Sequence, residues 1–386
     1  MIAVSPFKWT AFNYFGFFCA YGVILPFLPV WLKHHGYSTE MIGLLAAVGY
    51  LFRFGGSILA SQRVKAVNQL IPTARALTWL NIAVAIVLAF SGNSIWLIFP
   101  VLMLFQMFNS GAMPIADSIA SIWQRQVGLD YGKARLFGSI AFVVGSLCGG
   151  YFIGQLGEDI VVWVIIGFLV LFGIGQLATP TVGFEEKSVA TSNSNVTYLA
   201  LLKEPTTLRM LIAVSLISAS HATYYTYSTI HWSNAGISTQ ITSLFWGLAV
   251  VSEILFFLVS KQLFKSWKIS HLMILSAVFA FIRWGIMGST TEITLMIFAQ
   301  FLHSVTFGAS HIAMIRYISM QQAAEKITKL QGLYFGLASC AFMAVFTFLA
   351  GIIYQHSPNF TFWLMAAFVV PAIFIVPKKF EVQITK

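Results

Sequence analysis

Apolar residues in this chain come in blocks of about 18–25, the length an α-helix needs to cross roughly 30 Å of hydrocarbon. Roughly twelve such blocks can be marked, at about 9–32, 41–60, 73–91, 95–121, 133–155, 160–178, 208–231, 239–260, 270–288, 292–315, 330–354 and 360–376. The 386 residues are 58% hydrophobic and only 9% charged, which excludes a soluble domain, since that needs a far more polar surface. Membrane β-barrel strands alternate polar and apolar residues, and that alternation is missing, so strands are not expected. The expected fold is an all-α membrane protein with twelve transmembrane helices in two six-helix bundles.

The formal net charge is +10, a balance that in a soluble protein points to nucleic acid. Its placement points elsewhere. Arg53 and Arg283 fall inside blocks, and Lys33 falls in an odd-numbered loop. The other Lys and Arg residues sit in the termini, the even-numbered loops or the block ends facing them. Basic residues stay on the cytoplasmic side, so both termini are expected in the cytoplasm, with no nucleic-acid partner and lipid as the surroundings. The first block is too long for a signal-peptide core and is expected to remain in the protein. Cys19, Cys148 and Cys340 lie inside separate blocks and read as small packing residues, with no disulfide or metal spacing.

Five short loops join the first six blocks, and five more join the last six. Between the halves lies a polar stretch with Glu185, Glu186, Lys187 and the run Thr191-Ser-Asn-Ser-Asn195, which has the composition of a linker. The expected organisation is an N-terminal bundle over 1–180, a cytoplasmic linker over 181–207 and a C-terminal bundle over 208–386. Gly55, Gly56, Gly138, Gly145, Gly149, Gly150, Gly332 and Gly336 are expected to let helices approach closely. Pro26, Pro29, Pro100 and Pro114 are expected to bend the first and fourth spans.

The ionisable residues inside these blocks carry the functional signal. A charge at membrane depth costs about 2.5–3.5 kcal/mol or more unless paired or wetted, so such residues usually line a polar path. Asp117 and Arg135 lie at similar distances from the turn between the fourth and fifth spans, which places them at similar depth. They can form an ion pair with each other, or Arg135 can hold an anionic solute in a fork. Arg53 in the second span and Arg283 in the ninth either snorkel or join a polar path. Glu253, mid-way along the eighth span, has no basic residue within a turn and suits a reversible proton carrier. His303, His221 and, two turns beyond His303, His311 can relay protons. Tyr224 and Tyr227 share a helix face with nearby hydroxyls, and Asn13 lies on the first span with Tyr14, Phe17, Phe18 and Tyr21. Such a set can hold a small aromatic or hydroxylated solute, or mark the outer aromatic belt. No metal spacing, nucleotide-binding glycine loop or nucleophile motif is present, so no cofactor and no enzymatic activity are expected.

The two halves, Asp117 with Asp130-Tyr-Gly-Lys-Ala-Arg-Leu-Phe-Gly138, and Arg283 with Leu302-His303, resemble the major facilitator superfamily and, within it, the lactose-permease-like proton symporters. In that family an acid on the fourth span and an arginine on the fifth bind substrate at the separation of Asp117 and Arg135. An arginine on the ninth span and a histidine on the tenth match Arg283 and His303. The family's carboxyl one turn after that histidine is replaced by Thr306, which makes Glu253 the substitute. The loop after the second span departs from the superfamily pattern, because Gly56-Ser-Ile-Leu-Ala-Ser-Gln-Arg63 lacks the usual Asp. Narrower motifs are Tyr21-Gly-x-x-Leu-Pro-Phe27, Trp123-Gln-x-Gln126, Leu129-Asp-Tyr-Gly-Lys133, Arg283-Trp-Gly-Ile-Met-Gly288 and Met314-x-Arg316-Tyr-Ile318. They resemble a bacterial branch that carries small aromatic carboxylates. The resemblance implies a proton symporter of the bacterial inner membrane, working as a monomer and importing a solute such as 3-phenylpropionate. A sugar or nucleoside symporter on the same scaffold is the alternative, and the direction of transport stays open. Asp117, Arg135, Arg53, Asn13, Tyr224 and Tyr227 are the expected solute-binding residues, and Glu253, His303, Arg283 and His221 the expected proton-coupling residues.

Overall fold

A computed structural model describes residues 2–185, 197–320 and 324–378. Glu186, Lys187 and the Thr191–Asn195 run lie outside the described residues. Apolar blocks in lipid must satisfy their own backbone groups, so the chain is almost entirely helical. The first six blocks form α1 (Pro6–His34), α2 (Thr39–Arg63), α3 (Leu70–Ala89), α4 (Ile95–Val127), α5 (Tyr131–Leu156) and α6 (Val161–Gln176). A short α7 (Tyr198–Lys203) precedes α8 (Pro205–Ala219) and α9 (Ala222–Asn234). Then follow α10 (Thr239–Leu263), α11 (Ile269–Ser289), α12 (Ile293–Ser319), α13 (Ala324–Tyr334), α14 (Phe342–His356) and α15 (Pro358–Ile375).

Eleven helical segments among the described residues are long and apolar enough to cross a membrane. The expected block 208–231 is not one continuous helix, because α8 stops at Ala219 and α9 begins at Ala222. Polar side chains satisfy the backbone at the break. Ser220 Oγ donates to Ile217 O at 2.7 Å, and His221 Nδ1 lies 3.0 Å from the same carbonyl. Ser220 Oγ also accepts from Trp284 Nε1 at 3.0 Å. A second irregularity is a π-helical stretch, Phe335–Ala341, between α13 and α14. Strands were not expected, yet Ala3–Val4 pairs in parallel with Thr179–Pro180. These two residue pairs lie outside the spans and satisfy backbone groups that no helix reaches.

Contacts divide the chain into two compact units, Met1–Ala190 with Thr226–Gly247, and Thr191–Tyr225 with Leu248–Lys386. In the first unit α1 packs on α5 and α6, α2 on α4, and α3 on α4 and α6. The α9 and α10 residues of this unit are tied in by polar contacts: Tyr227 Oη donates to Thr39 O at 2.8 Å, and Lys33 Nζ to Asn234 Oδ1 at 2.6 Å. In the second unit α11 packs on α12 and α15, and α8 on α15 and the π-helical stretch. Pro26 and Pro29 lie inside α1, and Pro100 and Pro114 inside α4. The three cysteines are free thiols.

Membrane helices gain little from hydrophobic burial against lipid, so close backbone approach matters. At Gly145 an added Cβ would meet the carbonyl of Cys19 across the α1–α5 contact, whereas Gly55 has nothing within 4 Å. Gly145→Val is therefore expected to cost about 1–3 kcal/mol, because the obstructing atoms are backbone. Gly55→Ala should leave stability unchanged or raise it. Thermal unfolding of the detergent-purified variants measures both.

Asp130 caps α5 outside the membrane-spanning segments, its Oδ1 accepting from Lys133 N at 3.0 Å. That backbone bond, helped by the Lys133 side chain, holds its carboxyl below the usual carboxylate range. A carboxyl lowered on folding stabilises the folded state above its unfolded pKa, and the contribution is lost as pH falls through the folded value. The gap in unfolding midpoint between wild type and Asp130→Ala should be widest near neutral pH and close on acidification. A pH series of melts measures it.

Candidate functional site

Two clusters of polar side chains sit within the long apolar helices, one in each unit. In the first unit α1, α4 and α5 bring together Tyr14, Asp117, Tyr131 and Arg135. Asp117 Oδ1 accepts from Tyr14 Oη at 2.6 Å and from Tyr131 Oη at 3.2 Å. The Arg135 guanidinium lies over two rings, its Cζ 5.1 Å from the Tyr14 centroid and 4.5 Å from that of Phe18. An Asp117–Arg135 ion pair, one of the two arrangements open from the sequence, is not formed among the described residues. Two tyrosine hydroxyls satisfy the carboxylate instead, and two aromatic faces hold the guanidinium. Arg135 is half-buried, so its N–H groups can meet a solute.

Arg53 lies among aromatic residues of α1 and α2. Its NH2 donates to Tyr21 Oη at 3.1 Å, and its Cζ lies 5.5 Å from the ring centroids of Tyr21 and Tyr50. Tyr21 stacks on Phe17 at 6.0 Å. Asn13 has a tying role: its Nδ2 donates to Trp9 O at 2.9 Å, and its Oδ1 accepts from Gln176 Nε2 at 2.8 Å, joining α1 to the end of α6. Asn13, Tyr14 and Gln176 line one small cavity.

The second unit builds its cluster around Arg283 of α11, which is fully buried. Its NH1 donates to His303 Nδ1 at 2.9 Å and reaches Thr306 Oγ1 at 3.5 Å, and its NH2 donates to Gln300 Oε1 at 3.2 Å. Its Cζ lies 4.4 Å from the Tyr224 ring and 4.5 Å from the Trp284 ring. An arginine has no acceptor, so His303 Nδ1 must accept and the ring proton is assigned to Nε2. Nε2 faces Glu253 Oε2 of α10 at 3.7 Å. The result is a row of guanidinium, imidazole and carboxylate across three helices. The Glu253 side chain keeps 23% of its surface exposed, against 7% for His303, so the carboxylate is the wetter end of the row.

His221, at the break between α8 and α9, joins this cluster. Its Nδ1 must donate to the Ile217 carbonyl, and its Nε2 lies 3.2 Å from Thr306 Oγ1. Its ring is 5.6 Å from that of His303. Tyr224 Oη donates to Gln300 Oε1 at 3.0 Å. Tyr227, three residues on, bonds Thr39 in the first unit, so the two tyrosines expected to work as a pair are separated. Both are buried, as is Trp232, which removes the aromatic-belt reading. His311 pairs with Tyr334 at 3.2 Å, further along α12.

Two site residues, Gln300 and Tyr131, were not singled out from the sequence, and Tyr14 was not distinguished from its aromatic neighbours. Gln300 lies one turn before His303 on α12, and its i, i+3 spacing is the signal that finds it. Tyr131 sits within the Asp130-Tyr-Gly-Lys motif. Tyr14 was one of several aromatic residues on α1, and only the fold distinguishes it. Gln300→Leu should leave Tyr224 Oη and Arg283 NH2 without their shared acceptor, at about 1–3 kcal/mol for each buried group left unpaired. Chemical unfolding in detergent reads the loss.

Comparison with known proteins follows the same lines. Residues 8–365 match the model of the MFS_1 like family. The chain is 37% identical over 374 residues to the "Probable 3-phenylpropionic acid transporter" of Escherichia coli (strain K12), covering 96% of this chain and 97% of that protein. It is 23% identical to the "Uncharacterized transporter YwbF" of Bacillus subtilis (strain 168), covering 90% of this chain and 86% of that one. The crystal structure of the nucleoside transporter NupG superposes with a TM-score of 0.79 at 13% identity, covering 97% of this chain and 98% of that one. The POT family transporter PepTSo superposes at 0.73 with 9% identity, covering 96% of each chain. At those identities the two structures speak for the fold alone.

Proposed function

The chain belongs to the MFS_1 like family, a multi-pass membrane transporter and not an enzyme, and from that premise we propose that it carries a small aromatic carboxylate together with protons. The solute class is the one named for the Escherichia coli relative, 3-phenylpropionic acid. The observation that carries the reading is Arg135. It lies against the Tyr14 and Phe18 rings, and no carboxylate of the described residues forms an ion pair with it. A guanidinium held by rings keeps its fork of donors for a solute carboxylate, and the neighbouring rings offer faces for the solute's own ring. Arg53 and Asn13 join Arg135 in the proposed solute-binding set of the first unit, with Asp117 beside Arg135 and Arg53 as a second cation beside the α1 aromatic face.

The proton is assigned to the second cluster. Glu253 is the carrier, His303 presents Nε2–H to it, and Arg283 fixes the His303 tautomer from the other side, with His221 behind Thr306. Thr306 occupies the place one turn after His303 and cannot carry a proton as a carboxyl does, so Glu253 supplies that group from α10. Transport proceeds by alternating access of the halves 1–180 and 208–386, joined by the linker 181–207. We place the protein in the bacterial inner membrane with both termini cytoplasmic, acting as a monomer.

The test is uptake of radiolabelled 3-phenylpropionate by proteoliposomes under an imposed pH gradient. Wild type should accumulate solute uphill. Glu253→Gln should abolish uphill accumulation while leaving exchange of labelled for unlabelled solute. Undiminished uphill uptake by Glu253→Gln removes Glu253 as the carrier. Competition by nucleosides or glycosides but not by 3-phenylpropionate would overturn the solute assignment.

A further inference from the structure

Tyr14 touches both charged residues of the first cluster at once. It is fully buried on α1. Its hydroxyl makes the shorter of the two bonds to Asp117 Oδ1, at 2.6 Å against 3.2 Å from Tyr131. Its ring face lies 5.1 Å from the Arg135 Cζ and meets the Tyr131 ring edge-on at 6.3 Å and 89°. One side chain therefore touches both residues that the sequence could have paired directly.

We propose that Tyr14 is a positioning residue that ties the charge on Asp117 to the way Arg135 is presented to a solute. The inference rests on the reading of Arg135 as the carboxylate receptor. A phenol donating to a carboxylate makes a charge-assisted bond, roughly twice as strong as its neutral counterpart. While Asp117 is ionised, that bond anchors the Tyr14 hydroxyl and so fixes the ring on which Arg135 rests. When that charge is removed, the anchor weakens and the ring is free to yield. Arg135 then loses a rigid bed and a nearby competing anion together, and it can turn toward an incoming carboxylate. Ionised Asp117 also repels that carboxylate directly. The lever through Tyr14 and the direct field act in the same sense, toward tighter solute binding once the charge on Asp117 is removed.

The charged and titratable groups that face this pair are Tyr131 and Arg135 on α5, with Asp117 on α4 and Tyr14 on α1 facing each other. Ala74 of α3 and Phe172 and Gln176 of α6 line one small cavity with Tyr14, and none of them carries a charge. The Asp117 carboxyl is thus the group whose charge Tyr14 can sense directly.

Asp117→Asn, Tyr14→Phe, the two combined and Tyr14→Leu separate the lever from the direct field. The measurement is equilibrium binding of radiolabelled 3-phenylpropionate at neutral pH to the full-length purified protein and these variants. Asp117→Asn removes both routes and should bind more tightly than wild type. Tyr14→Phe keeps the ring and removes the hydroxyl, so in that background the gain from Asp117→Asn should be about threefold smaller. Tyr14→Leu removes the ring as well, and should weaken binding by about tenfold. A gain from Asp117→Asn that is the same with and without the Tyr14 hydroxyl overturns the proposal, and so does the absence of any gain. Arg135→Gln binding as tightly as wild type would instead sink the receptor reading, which keeps the two failures distinct.

Discussion

A guanidinium cannot shed its charge in a protein, and hydrocarbon cannot solvate it. Every arginine this chain keeps at membrane depth therefore needs a designed surrounding. The chain meets that demand mostly with aromatic faces and neutral acceptors. Arg283 rests on Tyr224 and Trp284 and donates to His303, Gln300 and Thr306. Arg53 rests on Tyr21 and Tyr50, and Arg135 on Tyr14 and Phe18. Neutral partners stabilise the cation without cancelling it, which leaves a positive charge available to an anion. A buried ion pair with good geometry would have cancelled it, at its own desolvation cost.

The arginines differ in how completely they are engaged, and the proposed roles follow that difference. Arg283 is fully buried and holds several neutral acceptors, so it acts as a fixed post that orients His303 toward Glu253. Arg135 is half-buried and held by rings, which suits a cation that meets its partner from outside the protein. The break between α8 and α9 places His221 beside the first arrangement. Interrupted helices recur at transporter sites because freed backbone groups and polar side chains can then reach the interior.

Much of this was legible in the sequence, for identifiable reasons. Long apolar blocks report membrane helices directly, since length and composition alone decide whether a helix can span. Counting along those blocks put Asp117, Arg135, Arg283, His303 and Glu253 inside spans, and α4, α5, α11, α12 and α10 contain them in turn. Counting did not give their partners. Helical spacing fixes which residues share a face but not which neighbouring helix faces them. Thus Asp117 and Arg135 looked like a pair, while the fold interposes Tyr14 from a helix a hundred residues earlier in the chain. Tyr224 and Tyr227 looked like one surface, while the fold sends them to different units. The break at Ser220–His221 was hidden because its residues carry no proline or glycine. Polar caps from Ser220 and His221 mark it, and their role appears only once the carbonyl of Ile217 is seen to need them.

The central claim is that a solute carboxylate and a proton cross together. Its most direct test is a pH electrode in a weakly buffered suspension of proteoliposomes, with protein-free vesicles as the blank. Adding 3-phenylpropionate outside, with no gradient imposed, should turn the medium alkaline as the solute runs inward, and a proton ionophore should abolish the signal. Solute entry through the protein with no alkalinisation above the blank would contradict the account.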